Sequence, residues 1–259
     1  MALSNPFLWQ TMNIKSVIEV VEANQRRAKM ILGKYGLFFE SRRGNKTYAS
    51  RQKKVIARCE RNFLQGIVNN SVLFITLVCP YGNSKDECRE SWKTNNKALG
   101  PFTKSLRKMG REKYIAVLEA TKKGNCHVHL LLSWNRSLKA KIRNDKYYLA
   151  ENDLLKSIRY TWTKEWGKVS SLALNNNAIS IRVCPDGAIA RLLFKYITKT
   201  VGKWSDITNV IPRVKENKPK ELDLKKLFAN YWGFTLNIRL LRTSRNLGKG
   251  GISYVLLRD

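Results

Sequence analysis

Two periodicities of apolar residues alternate along the chain. In 71–78 (SVLFITLV) the apolar residues are nearly continuous and rich in β-branched side chains, which predicts a buried core strand. Residues 114–120 and 126–134 read as two further strands, separated by Thr121, Lys122, Lys123, Gly124 and Asn125, and therefore as a hairpin. A short strand follows at 178–183. Elsewhere the period is helical. A capping box, Ser16 with Glu19, precedes Val17, Val21 and Ile31, and Gly33 and Gly36 end that helix. From 46 to 68, Tyr48, Val55, Cys59, Phe63 and Ile67 recur on one side, with Arg51, Lys53, Lys54, Arg58 and Arg61 on the other. Residues 86–97 and 102–109 read as two helices, the second stopping at Gly110; 152–166 is amphipathic, and 186–201 is a capped helix ending at Gly202. Residues 203–220, with Pro212 and Pro219, read as a loop or linker.

Strands and helices mix without a regular βαβ repeat, so the expected class is α+β: a central antiparallel sheet of about five strands with flanking helices, not a doubly wound fold. Three regions are expected: a basic helical N-terminal extension over 1–70, a central domain over 71–202, and a linker with a small basic C-terminal element over 203–259 that packs on the central domain.

Composition narrows the choice of partner. The chain has 259 residues, 49 of them Lys or Arg and 19 Asp or Glu, a formal charge of +30. The excess is not a tail: basic residues outnumber acidic ones 13 to 4 in 1–70 and 12 to 5 in 202–259, and the middle is positive as well. A folded body with a positive surface predicts a nucleic-acid partner. The longest apolar runs are far too short to cross a bilayer, and a cytoplasmic protein with no membrane partner is expected. The five cysteines form no CxxC pair and are odd in number; Cys79 and Cys88 lack a second pair with zinc-ligand spacing, so all five read as reduced thiols. No GxxxxGK[ST] loop occurs in these residues, so no helicase motor is expected within them.

The two histidines of the chain are His127 and His129. On a strand, side chains two apart share a face, so both imidazoles project together. If Lys122, Lys123 and Gly124 form a three-residue hairpin loop, residues 119 and 127 pair directly, and the Glu119 carboxylate joins the imidazoles; a two- or four-residue loop would turn it to the other face. Two nitrogens and a hard oxygen suit Mg²⁺ or Mn²⁺ with positions open to phosphate and water. On the helix over 186–201, Ile189, Leu193 and Ile197 make the expected buried stripe, and Tyr196 lies at its edge with Lys199 one turn on. Beside a metal site such a tyrosine serves as a phenolate nucleophile; otherwise it is a packing anchor.

At these residues the chain resembles the HUH endonuclease superfamily, in particular the rolling-circle replication initiators of plasmids and single-stranded DNA viruses. Phe74-Ile75-Thr76-Leu77 resembles the first strand motif, His127-Val128-His129 behind a Glu-bearing strand resembles the metal motif, and Tyr196-Ile197-Thr198-Lys199 resembles the Tyr-x-x-Lys nucleophile motif. The likeness spans roughly 70–202, with a fainter echo of a basic segment in Arg242-Thr243-Ser244-Arg245-Asn246. It implies that 71–202 is an HUH endonuclease domain with Glu119, His127 and His129 as metal ligands and Tyr196 and Lys199 as catalytic residues. It also implies nicking of single-stranded or hairpin origin DNA to a 5′-phosphotyrosine and a free 3′-OH, rejoining by strand transfer, and a host polymerase and helicase as partners in a prokaryotic cytoplasm. Thr200 stands where two-tyrosine initiators carry their second tyrosine, which implies the single-tyrosine type. An insertion-sequence transposase of the same superfamily, or a non-catalytic binder of single-stranded nucleic acid, are the alternatives.

Overall fold

The computed structural model describes residues 13–23, 46–79, 84–121, 123–170, 174, 178–202, 207–216, 221–244 and 247; the side chains of 46–53, 55, 199–202, 207–209, 221–223 and 234 lie outside that description. The helical elements are α1 (14–23), α2 (Lys46–Leu64), α3 (Lys85–Lys108), α4 (Asn152–Gly167), α5 (Gly187–Gly202), α6 (Ile207–Lys215) and α7 (Glu221–Thr235). The strands are β1 (Val72–Val78), β2 (Arg111–Ala120), β3 (Cys126–Trp134), β4 (Ala140–Arg143), β5 (Lys146–Leu149), β6 (Ile179–Cys184) and β7 (Leu241–Thr243). The class is α+β, as expected. The sheet has seven strands in the order β4-β5-β6-β1-β3-β2-β7, every neighbouring pair antiparallel.

Two elements beyond the expected five strands widen the sheet. The β4–β5 hairpin turns through Asn144 and Asp145, both in the left-handed region at φ 49° and 54°, the backbone a two-residue hairpin turn requires. At the opposite edge β7 pairs with β2, Ile115 opposite Thr243, so the C-terminal part of the chain completes the sheet.

The helices depart from the sequence reading at four places. The first begins three residues earlier, capped by Asn13, whose Oδ1 accepts from the Ser16 amide at 3.3 Å in place of the Ser16–Glu19 box; Gly33 and Gly36 lie outside the described residues. The two helices expected over 86–109 are one. Gly100 and Pro101 are exposed, as is Lys97, whose carbonyl Pro101 cannot serve, while Leu99, Phe102 and Leu106 continue a single buried stripe. The supposed linker contains α6, held by the buried Val210, Ile211 and Val214 and by a 2.8 Å ion pair from Lys215 to Glu22 of α1; Lys203 and Pro219 lie outside the described residues. On α5 the buried stripe is Ala190, Phe194 and Ile197, one position round from that expected, and Ile189 is exposed. Phe194 meets Phe63, ring centroids 6.5 Å apart, so that α2 docks on α5.

Register assigns the layers. Leu73, Ile75, Leu77, Val128, Leu130 and Leu132 share one face, buried under α3, with α4 packed outside through Phe102 and Trp162. The other face of the same strands carries Thr76, His127 and His129 and faces α5. Among the described residues no helix is long and apolar enough to cross a membrane.

Candidate metal centre and tyrosine

The β2–β3 loop sets the site. Gly124 takes φ +89°, where a Cβ is strained, its amide donates to the Thr121 carbonyl at 3.0 Å, and the Thr121 amide donates to the Asn125 carbonyl at 2.7 Å. This closure gives the register a three-residue loop predicts, Glu119 opposite His127 and Val117 opposite His129; Lys122 itself lies outside the described residues.

Glu119, His127 and His129 therefore converge, with ligand atoms all within 4.8 Å of one another. Glu119 Oε2 is 3.5 Å from His127 Nε2 and 3.6 Å from His129 Nε2, and the two Nε2 atoms are 3.0 Å apart. Two ligands at right angles, each ~2.1 Å from a small hard cation, are separated by about 3.0 Å, so the imidazoles already stand as adjacent ligands would. Glu119 and His129 are buried and His127 is half-buried, while His127 Nδ1 is enclosed without a hydrogen-bond partner. Burial, and next the neighbouring His127, push the pKa of His129 down to about 4, against the opposing pull of Glu119; the charge of Lys225 on α7 adds to the depression. At neutral pH His129 is thus uncharged, the form that donates a lone pair. The trio can hold a metal ion.

Residues that the sequence reading did not assign to the site support it. Thr76 Oγ1 lies 3.1 Å from His129 Nδ1; with its proton on Nδ1 the ring donates to the hydroxyl and keeps Nε2 free for a cation. Phe74 stacks on the same imidazole, centroids 5.5 Å apart and planes 15° apart. Thr76 is the lone polar residue in an apolar strand, which is the signal that could have marked it.

Tyr196 on α5 is 57% exposed, and its ring centroid is 5.8 Å from that of His129. The helix thereby brings a solvent-accessible phenol over the trio. Lys199 follows one turn on, its side chain outside the described residues, as is that of Thr200. Tyr160 is exposed on α4, its ring 6.0 Å from the Lys164 ammonium, on the layer beyond α3 and so across the sheet from the trio. Tyr147 and Tyr148 are half-buried on β5.

Of the basic residues, Lys54 and Arg58 line an open cleft between α2 and α5 together with Arg61 and Arg191, and Arg191 reaches Glu60 at 3.6 Å. The side chains of Arg51 and Lys53 lie outside the described residues. Arg242 is turned inward, donating to the Asn96 carbonyl at 3.1 Å, with burial lowering its pKa, so it ties β7 to α3; Arg245 and Asn246 lie outside the described residues. All five cysteines are free and buried, and burial raises the Cys79 thiol to about 12; among the described residues the trio is the one metal-ligand cluster.

Residues 72–201, about half of the chain, match the model of a family described as the ORF2 type of replication-associated protein. No curated protein and no solved structure gives a significant match.

Proposed function

Because the chain belongs to this ORF2-type family of replication-associated proteins, we propose that it is a rolling-circle replication initiator of the HUH type that nicks single-stranded or hairpin origin DNA. The reading rests on one observation above the rest: the exposed Tyr196 ring stands 5.8 Å from His129, over a trio of buried donors suited to a divalent cation.

Glu119, His127 and His129 would hold the ion, Mg²⁺ or Mn²⁺, and when bound it supplies the positive charge that polarises the scissile phosphate. Thr76 and Phe74 hold the His129 ring in register for it. Tyr196 Oη attacks the phosphorus, forming a phosphotyrosine linkage to the 5′ side as the P–O3′ bond breaks; the phenol proton is given up and the leaving oxygen is protonated to a free 3′-OH. The helix carries Lys199 one turn beyond Tyr196, placed for the phosphate charge. A host polymerase extends the 3′-OH while a helicase opens the duplex, and later attack of a 3′-OH on the phosphotyrosine rejoins the strand and frees Tyr196. One tyrosine suffices for this cycle. Activity in a prokaryotic cytoplasm, where such an origin is exposed, belongs to the same reading.

The test is incubation with labelled single-stranded oligonucleotides tiled across the protein's own replicon, with Mn²⁺ or EDTA, resolved on a denaturing gel. An SDS-resistant protein–DNA adduct that forms with Mn²⁺, disappears with EDTA and is absent from Tyr196→Phe is expected. DNA that is bound but never joined with any divalent ion would replace this reading with a non-catalytic binder.

A further inference from the structure

The face of the sheet that carries the trio continues past β1, and the register shows what stands on it. Phe74, stacked on His129, lies opposite Arg182 of β6, and Arg182 lies opposite Tyr148 of β5. Tyr148 in turn lies opposite Lys141 of β4. Directly paired residues share a face, so the trio, Phe74, Arg182, Tyr148 and Lys141 form a row running across the strands toward the sheet edge.

Arg182 is the anomaly in that row. Its Nε is buried without a hydrogen-bond partner, and no ion pair holds the guanidinium among the described residues. A buried donor on a permanent cation is normally paired, and one left open toward a reactive site is suited to an external anion. A guanidinium offers a planar fork that matches two phosphate oxygens. Two strand spacings separate β3 from β6, about 10 Å, a span that the next phosphates of a strand lying on the trio would cover. Tyr148, half-buried beside Arg182, presents an aromatic surface on which a base can stack, and Lys141 is exposed beyond it.

We infer that Arg182 is a phosphate-binding residue for the DNA strand flanking the scissile bond, with Tyr148 as the stacking surface for the adjoining base, so that the strand crosses β1 and β6 on its way to Tyr196. This rests on the nicking proposal for what lies at the trio, but it concerns binding and is measured separately.

The experiment uses the full chain and a fluorescein-labelled single-stranded oligonucleotide, the one that forms the adduct or, failing any adduct, the tile bound most tightly. Each phosphate in turn is replaced by a neutral methylphosphonate, and binding is followed by anisotropy in EDTA across a salt series. The wild type should lose affinity at one phosphate near the nick. Arg182→Gln should bind more weakly, become indifferent to that replacement, and show a salt dependence shallower by about 0.7 in log–log slope, the share of one phosphate contact on a single strand. Arg182→Lys should restore the slope, and Tyr148→Ala should weaken binding with the slope unchanged. Because Arg182 has no internal partner to lose, Arg182→Gln should keep the wild-type Tm. An unchanged methylphosphonate profile and slope in Arg182→Gln overturns the inference, as does a marked fall in Tm in both Arg182 variants, which would make the residue part of the core. An Arg182-dependent phosphate without any adduct defeats the nicking proposal alone; an adduct with no Arg182 dependence defeats this one alone.

Discussion

On the α3 side of β1 and β3, Leu73, Ile75, Leu77, Val128, Leu130 and Leu132 are wholly buried, and polar groups at that layer find internal partners: Trp92 Nε1 donates to the Gly124 carbonyl at 2.8 Å and the Cys126 amide donates to Ser91 Oγ at 2.9 Å. On the α5 side, alternate residues of the same strands include Thr76, His127 and His129, the carboxylate of Glu119 joins them from β2, and buried nitrogens of His127 and Arg182 have no partner. The backbone is shared, so the difference belongs to the side chains. A polar group met from within strengthens the fold, whereas one left open toward a site costs stability and is kept for what it binds. One face of this sheet is built to hold the molecule together and the other to hold something else.

Substitutions can break that contrast from either side. The largest effect on folding should come from the α3 face: Trp92→Ala removes a fully buried ring and its hydrogen bond, and urea unfolding should show a loss of about 3–5 kcal/mol. Next is the pH response of the α5 face in metal-free protein. The unfolded chain takes up a proton on His129 near its ordinary value of 6.5, while the folded protein resists until about 4, so the unfolded state binds more protons between these values. This contribution should leave stability flat above pH 6.5, let it fall as pH drops from 6.5 to 4, and become flat again below; His129→Asn should remove that component from a set of urea titrations at different pH. Smaller again is Thr76→Val, which keeps the shape of the strand but loses the 3.1 Å contact to His129; calorimetric titration should show Mn²⁺ affinity reduced roughly 10- to 100-fold, with little change in Tm. An unchanged Mn²⁺ affinity would mean that Thr76 only packs. The smallest is Arg58→Gln in the cleft between α2 and α5, where loss of one phosphate contact should flatten the salt dependence of DNA binding by about 0.7–0.9 and leave the metal site intact.

The site is more legible in the sequence than the periphery of the fold, for physical reasons. A period of two carries His127 and His129 to one face whatever surrounds them, and a glycine at the end of a three-residue loop fixes which strand position meets His127, so Glu119 follows from local chemistry. Tyr196 can be placed on its helix because the repeat of α5 is regular, although the buried stripe is Ala190, Phe194 and Ile197; the docking of α2 on Phe194, a tertiary contact, settles that rotation. The β4–β5 hairpin escapes a reading by periodicity since its strands have four residues each with little apolar signal, and only the Asn144–Asp145 turn could betray it. Pro101 and Pro212 read as breaks, yet both sit inside helices whose flanking positions are buried, because packing outweighs the loss of one backbone hydrogen bond. Thr76 and Arg182 owe their placement to pairing across strands far apart in sequence, beyond any local pattern.

The central claim is that the phenol over the trio is the group that becomes joined to DNA. Tryptic digestion of the Mn²⁺-dependent adduct, nuclease trimming of the DNA and mass spectrometry of the nucleotide-bearing peptide would identify the linked residue. The account predicts a nucleotide on Tyr196; a nucleotide on Tyr160, Tyr147 or Tyr148, or no linked peptide under any divalent ion, would contradict it.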